Sequence, residues 1–225
     1  MPDVKFWNPE ADLMPLFAFF AVDKRQMLTL TLEHLGLVGI SMLIVVATGV
    51  PLGILLSRRP GWKGVVLGST NVIQTVPSLA LFGLLLPVPW LGARADRLAI
   101  FALSLYALLP VVRNTYVGIT GVDPPVREAA VGMGLTPWQL LWHVELPLAS
   151  HVILAGIRTA TVITVGVATI AAAIGAGGLG EFIFRGLAMV DNRVILAGAV
   201  PAAVMALSAD LLLGLLQRTL VRGQH

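Results

Sequence analysis

The sequence predicts an all-α membrane protein of about five transmembrane helices, and three observations carry that expectation. Of the 225 residues, 57% are hydrophobic and 12% charged, with a mean hydropathy of +0.88. Soluble domains carry about 25% charged residues, so roughly half of the usual charge is missing. What charge remains is bunched between apolar runs. Five of these runs reach the about 20 residues a helix needs to cross the hydrocarbon core, and they are too long and unbroken for the short alternating strands of a barrel.

The chain divides into an N-terminal segment, 1–34, a transmembrane region, 35–220, and a tail, 221–225. The apolar stretch from Leu13 to Val22 is interrupted by Pro15 and is too short to span. Without a small-residue cleavage site it is not a secretory signal, so it is expected at the membrane interface. The first span, 35–56, stops at SRRPGWKG, and the second, 65–86, at PVPWLG, with Pro77 inside it to weaken the backbone ladder. The third is 98–117. A polar loop, 118–147, separates it from the fourth, 148–173, which is long and rich in small residues; the fifth is 194–216.

After the fourth span, IGAGGLGEF formally matches G-x-G-x-x-G at Gly175, Gly177 and Gly180. That spacing binds dinucleotides when it lies between a strand and a helix. Here it follows an apolar helix, with no second strand and no acidic residue placed to hold a ribose. The glycines read instead as a helix break, where positive φ is cheap, and GEFIFRGLAMVDNR as a short turn or re-entrant helix. There is no G-x-x-x-x-G-K-[ST] loop either. The chain itself is expected to bind no ATP, no other cofactor and no metal.

Other chemistry is equally thin. Cysteine is absent, which removes disulfides, thiolate metal sites and thiol catalysis. His34, His143 and His151 are scattered, and His143 and His151 are separated by a proline, so they are poor metal partners. His34, next to Glu33, reads as interfacial. No basic stripe with interleaved aromatics points to nucleic acid. The chain reads as non-catalytic.

The loop carries the informative pattern, DPPVREAAVGMGLTPWQLLWHVELPLAS. Asp123 before two prolines is a helix-start signal with a side-chain cap, and Glu128 is read as an acid in the first turn, where the helix dipole favours it. Gly134 ends that helix, Thr136-Pro137 starts another, and Leu146-Pro147 enters the fourth span. Two short helices joined at a glycine are expected.

This segment resembles the EAA loop of the inner-membrane permease subunits of ABC importers, through Glu128, Ala129, Ala130, Gly134, Val144, Leu146 and Pro147 at the family's spacing. The likeness extends from about Leu28 to Leu220. TVPSLALFGLLLP, IGAGGLGEFIFRGL and ILAGAVPAAVMALSAD look like the osmoprotectant uptake permeases for glycine betaine, choline and carnitine; the glycine-rich break also resembles methionine uptake permeases. The resemblance implies a type I ABC importer permease bundle whose loop is a cytoplasmic coupling helix pair, docked on an ATP-hydrolysing subunit. It implies a second permease subunit (the same or a sister chain), an ATPase dimer that uses ATP and Mg, and an extracytoplasmic substrate-binding protein. Because the chain ends nine residues past Leu216, that binding protein is expected to be a separate chain. A cytoplasmic loop puts Arg58, Arg59, Lys63, Arg218 and Arg222 inside, but Lys24, Arg25, Arg94, Arg97, Arg185 and Arg193 outside, so the positive-inside bias does not decide orientation. From another class, an ATP-independent secondary transporter would leave the loop's spacing unexplained.

Polar residues inside spans are costly and become candidates for a solute path. Asn71, Gln74, Thr75 and Ser78 recur at helical spacing on one face of the second span, as do Thr161 and Thr164 on the fourth. Lining a path and bonding helix to helix are both open readings for them. Arg158 lies roughly 15 Å, and Asp210 roughly 10 Å, from the loop-side ends of their spans. They are expected to pair, within the subunit or across a dimer, although Arg158 could instead snorkel to the interface.

Overall fold

The computed structural model describes residues 24–222, and among these the chain is helical with no strand. The stretch Leu13–Val22 and the last three residues of the tail lie outside the described residues. Helix α1, Lys24–Arg58, is 35 residues long, so the expected boundary between a segment ending at 34 and a span starting at 35 falls inside one helix. Hydropathy stops at Glu33 and His34, but the backbone does not. His34 is fully buried rather than interfacial, with its Nε2 3.2 Å from the carbonyl of Val165.

The expected second span is two helices, α2 (Lys63–Thr75) and α3 (Ser78–Leu85), bent by 102° across the break. Val76 is extended (φ −71°, ψ 127°), the conformation a following proline favours, and Pro77 offers no N–H to continue the ladder. After a single turn at Pro89–Gly92 come α4 (Ala95–Thr120), α5 (Pro124–Gly132) and a continuous helical run, α6 (Pro137–Ile174). The chain closes with α7 (Gly180–Met189) and α8 (Asn192–Arg222). Helices α1, α4, α6 and α8 are each long and apolar enough to cross a membrane, and the bent α2–α3 pair supplies a fifth crossing if counted as one.

The core is the seam of α1, α4 and α6, filled by Val45, Leu98, Leu103, Val111 and Ala168. With lipid outside, apolar burial gives helices little reason to associate, so close backbone approach matters more. A Cβ at Gly53 would stand 2.5 Å from that of Thr115, and one at Gly156 would stand 2.8 Å from the carbonyl of Pro110. Both glycines therefore set the spacing of the seam. Helix α8 leans on α6 and α7 and leaves Leu207, Leu211, Leu212 and Leu215 exposed.

The glycine-rich break follows α6, with Gly175, Gly177 and Gly178 at φ +78°, +80° and +83°. It packs on the first turns of α1, where the N–H of Gly178 donates to Glu33 Oε2 at 3.1 Å. A Cβ at Gly177 would meet that carboxylate at 2.4 Å. The loop thus receives an acid from its own chain at the place where a fingerprint of this spacing would receive a phosphate.

Candidate functional site

Among the described residues, polar features that interrupt the apolar bundle include a loop cluster at one end, a groove beside α2 and an ion pair between α6 and α8. At the loop, Asp123 occupies the N-cap position of α5, but its side chain makes no capping bond. The guanidinium of Arg127 instead donates to the carbonyl of Ile119, tying α5 back to α4. Glu128 is the fifth residue of the helix, past the first turn in which the dipole argument places it, and it is exposed, as is Ala129; Ala130 is buried. Gly134, at φ +84°, closes the helix in a Schellman turn: Leu135 N–H donates to the Ala130 carbonyl at 3.2 Å, and Gly134 N–H to that of Val131 at 2.9 Å.

Thr136 then opens α6 with a full capping box. Its Oγ1 accepts from Gln139 N–H at 3.3 Å, while its own N–H donates to Gln139 Oε1 at 2.9 Å. Trp138 and Trp142 stack edge-on at 5.6 Å and stand exposed on the same loop as Val131 and Met133. The loop therefore offers a largely apolar surface with two exposed acids, Asp123 and Glu128.

Before Pro147, residues Leu141–Glu145 form a π-helical turn, whose Leu146 N–H reaches back to the carbonyl of Leu141. Such widened turns accommodate a missing ladder bond and often mark functional positions. Leu146 packs on the cluster of Ile119, Leu141, Ala149 and Ile153. Glu145 is turned inward and is fully buried. Arg58, the last residue of α1, embraces it: Nη1 donates to Oε1 at 3.1 Å and Nη2 to Oε2. Arg127 Nε stands 3.2 Å from Oε1. One carboxylate therefore joins the end of α1, the loop helix α5 and the π-helical turn of α6.

The groove lies between α2 and α4. A cavity of about 430 Å³ is lined by Lys63, Asn71, Arg113 and Tyr116, with the Lys63 ammonium 4.8 Å above the Tyr116 ring. A second, of about 350 Å³, gathers Gln74, Thr75, Pro77, Ser78 and Tyr106 at the helix break. Asn71, Gln74, Thr75 and Ser78 therefore do not share one helix face as the sequence suggests, because the break at Val76–Pro77 redirects Ser78. Gln74 is partly occupied: its Nε2 donates to the carbonyl of Tyr106 at 2.7 Å, and the Tyr106 hydroxyl donates to the carbonyl of Val76. Thr75 bonds its own helix at Val72.

Thr161 and Thr164 also bond back to their own helix, at Ile157 and Ala160. Thr164 is fully buried against Met42 of α1, so it packs helices rather than lining an open path. Arg158 and Asp210 are brought together within the subunit in a two-pronged ion pair between α6 and α8, the second prong, Nη2 to Oδ2, at 2.5 Å.

Sequence reasoning passes over Glu145, Arg58, Arg127, Lys63 and Arg113. The available signal for Glu145 was an acid just before Leu-Pro in an apolar helical run, where an unpaired charge would be costly.

The sequence matches the family described as binding-protein-dependent transport system inner membrane component over residues 49–224. It is 43% identical over 202 residues to a carnitine transport permease of Listeria monocytogenes, covering 90% of this chain and 91% of that one. It is 48% identical over 180 residues to a glycine betaine/carnitine/choline transport system permease of Bacillus subtilis (strain 168), covering 80% and 77%. Among solved structures, the fold resembles the methionine ABC transporter in an inward-facing conformation, with TM-score 0.78 at 20% identity over 87% of this chain and 96% of that one. It also resembles a bacterial alginate ABC transporter in complex with its alginate-bound periplasmic protein, with TM-score 0.65 at 18% identity over 96% and 89%. With its apolar crossings, its broken second span and its looped-out helix pair, the chain belongs to the family of multi-pass inner membrane components of binding-protein-dependent transport systems.

Proposed function

We propose that this chain is the permease subunit of an ATP-driven ABC importer for a quaternary-ammonium osmoprotectant such as glycine betaine, choline or carnitine. The observation that supports it most is the 43% and 48% identity, over 90% and 80% of the chain, to permeases whose names carry those solutes. On this reading a second permease subunit, an ATPase dimer using ATP and Mg, and an extracytoplasmic binding protein complete the transporter. ATP is held by the partner and this chain holds no cofactor.

The loop end of the bundle is then cytoplasmic. Glu128, with Ala129, Ala130 and Gly134, presents α5 to the ATPase, and the exposed Trp138, Trp142, Val131 and Met133 enlarge the docking surface. Closure of the ATPase pushes α5 as a rigid body. Arg127 lies on α5 and Glu145 in the π-helical turn of α6, just before Leu146 and Pro147, so the ion cluster passes that push into the bundle.

Uptake of labelled glycine betaine and choline, with methionine as control, tests the reading in cells with and without the gene at high osmolarity, beside a Glu128→Lys strain. Gene-dependent osmolyte uptake that fails in the variant is expected. Uptake that survives both the substitution and ATP depletion overturns the ATP-driven reading in favour of a secondary transporter. Methionine uptake alone overturns the solute.

A further inference from the structure

We infer that the Lys63–Arg113–Tyr116 pocket is a solute station that takes a carboxylate on its two cations and a quaternary ammonium on the Tyr116 ring, and so favours zwitterions over plain cations. This deepens the osmoprotectant reading and rests on it. Elsewhere in the bundle Glu145 is engaged by Arg58 and Arg127, Asp210 by Arg158 and Asp96 by Arg94. Lys63 and Arg113 share a cavity with Asn71 and no acid. Among the described residues neither makes an ion pair.

Arg113 is exposed on α4 seven residues before its end at Thr120, roughly 10 Å into the helix. An unpaired guanidinium at that depth is tolerated where it faces a water-filled cavity, and it marks a path for charged solute. Two like charges with no counter-charge leave the cavity electropositive, so it attracts an anionic group.

The Lys63 ammonium already lies over the Tyr116 ring, where a quaternary ammonium would bind by cation–π attraction. A zwitterion can exchange with it. Its carboxylate draws Lys63 towards itself and Arg113, and its own ammonium takes the vacated ring face. A plain cation must displace Lys63 beside Arg113 with nothing to offset the repulsion. Asn71 stands one turn along α2 from Gln74 and Thr75, so the station lies about one turn from the second cavity at the helix break.

Uptake of labelled glycine betaine and choline should be measured in cells carrying the whole transporter, for wild type, Arg113→Gln, Lys63→Gln and Arg113→Lys, normalised to permease in the membrane. The binding protein is the same in every strain, so its selectivity cancels when strains are compared. The betaine-to-choline ratio is expected to fall on the order of tenfold in each glutamine variant, the change that one lost charge contact of about 1.4 kcal/mol produces. Arg113→Lys should hold the ratio within about threefold of wild type, since it keeps the charge.

Parallel loss of both solutes, with the ratio unchanged, overturns the assignment. Parallel loss in proteoliposomes that depends on anionic lipid also overturns it, and gives the cations to a lipid phosphate instead. If wild type moves neither solute, the osmoprotectant reading fails and takes this assignment with it. If wild type moves both and the ratio never shifts, only the assignment fails.

Discussion

Glu145 is wholly buried, and Arg58, at the far end of another helix, grips both of its carboxylate oxygens. Removing one partner of a buried pair costs about 3–5 kcal/mol when the other charge is stranded. Here Arg58 and Arg127 are 38% and 30% exposed and can turn to water, so Glu145→Gln should cost near the low end of that range. The larger effect is expected on coupling. In proteoliposomes of the complete transporter, Glu145→Gln should lower solute moved per ATP hydrolysed by about fivefold or more, because the loop is no longer tied to α1. Arg58→Gln should be milder, since Arg127 remains. Loss of transport and ATPase in equal measure would show that the cluster only supports the fold.

Gln74 repairs a gap in the backbone of α4 at Tyr106, whose hydroxyl in turn bonds the carbonyl of Val76 at the end of α2. Pro110 has no N–H to give the carbonyl of Tyr106, four residues earlier, and Gln74 Nε2 bonds that carbonyl instead. Gln74→Leu should therefore destabilise the purified permease by about 1–3 kcal/mol, the cost of a buried carbonyl left bare. Pro110→Ala supplies the missing N–H. In that background the same substitution should cost less than about half as much. Thermal unfolding of the four proteins in detergent measures the cycle, and an unchanged cost with alanine at 110 would place the role of Gln74 elsewhere.

The broad architecture was legible because a membrane crossing is written in length and hydropathy, which survive without knowledge of neighbours. Boundaries were less so. Polar Glu33 and His34 end the hydropathy run, yet α1 runs on through them because the glycine loop and the Val165 carbonyl receive both side chains. The spacing of Asn71, Gln74, Thr75 and Ser78 assumed an unbroken helix, and the 102° bend at Pro77 replaces that face with a pocket at a corner. At the loop, Gly134 and the Thr136 box were readable because they depend on neighbours in sequence. Glu145 was not, because its partners lie 87 and 18 residues away, and only the folded chain brings them together.

Gly134 tests the geometry of the turn between α5 and α6 in isolation. Its φ of +84° is open to glycine and costs other residues, while nothing lies within 4 Å of where a Cβ would stand. Backbone strain is then the whole effect. Gly134→Ala should cost about 1–2 kcal/mol, and Gly134→Val more, since a β-branched residue fits that region worst. Gly134→Asn should be the mildest. Unfolding temperatures in the order Gly, Asn, Ala, Val support this account, whereas equal losses for Asn and Val would point to a steric partner on the ATPase.

Arg158 and Asp210 tie α8 to α6 about two turns from another polar contact between these helices, Gln217 Nε2 donating to the His151 carbonyl at 3.0 Å. At mid-helix an unpaired charge costs about 2.5–3.5 kcal/mol on insertion scales, so Arg158→Asp or Asp210→Arg alone should reduce permease in the membrane severalfold. The double exchange restores a pair of opposite charges between the same helices. Gly214 limits the recovery, because a guanidinium now lies within 3.2 Å of where its Cβ would be, and a shorter aspartate at 158 leaves that space unfilled. Recovery to at least about half of the wild-type membrane level is expected. Immunoblots of membrane fractions from the four strains give the answer: a double variant no better than the singles would mean that Arg158 acts alone, with Asp210 only nearby.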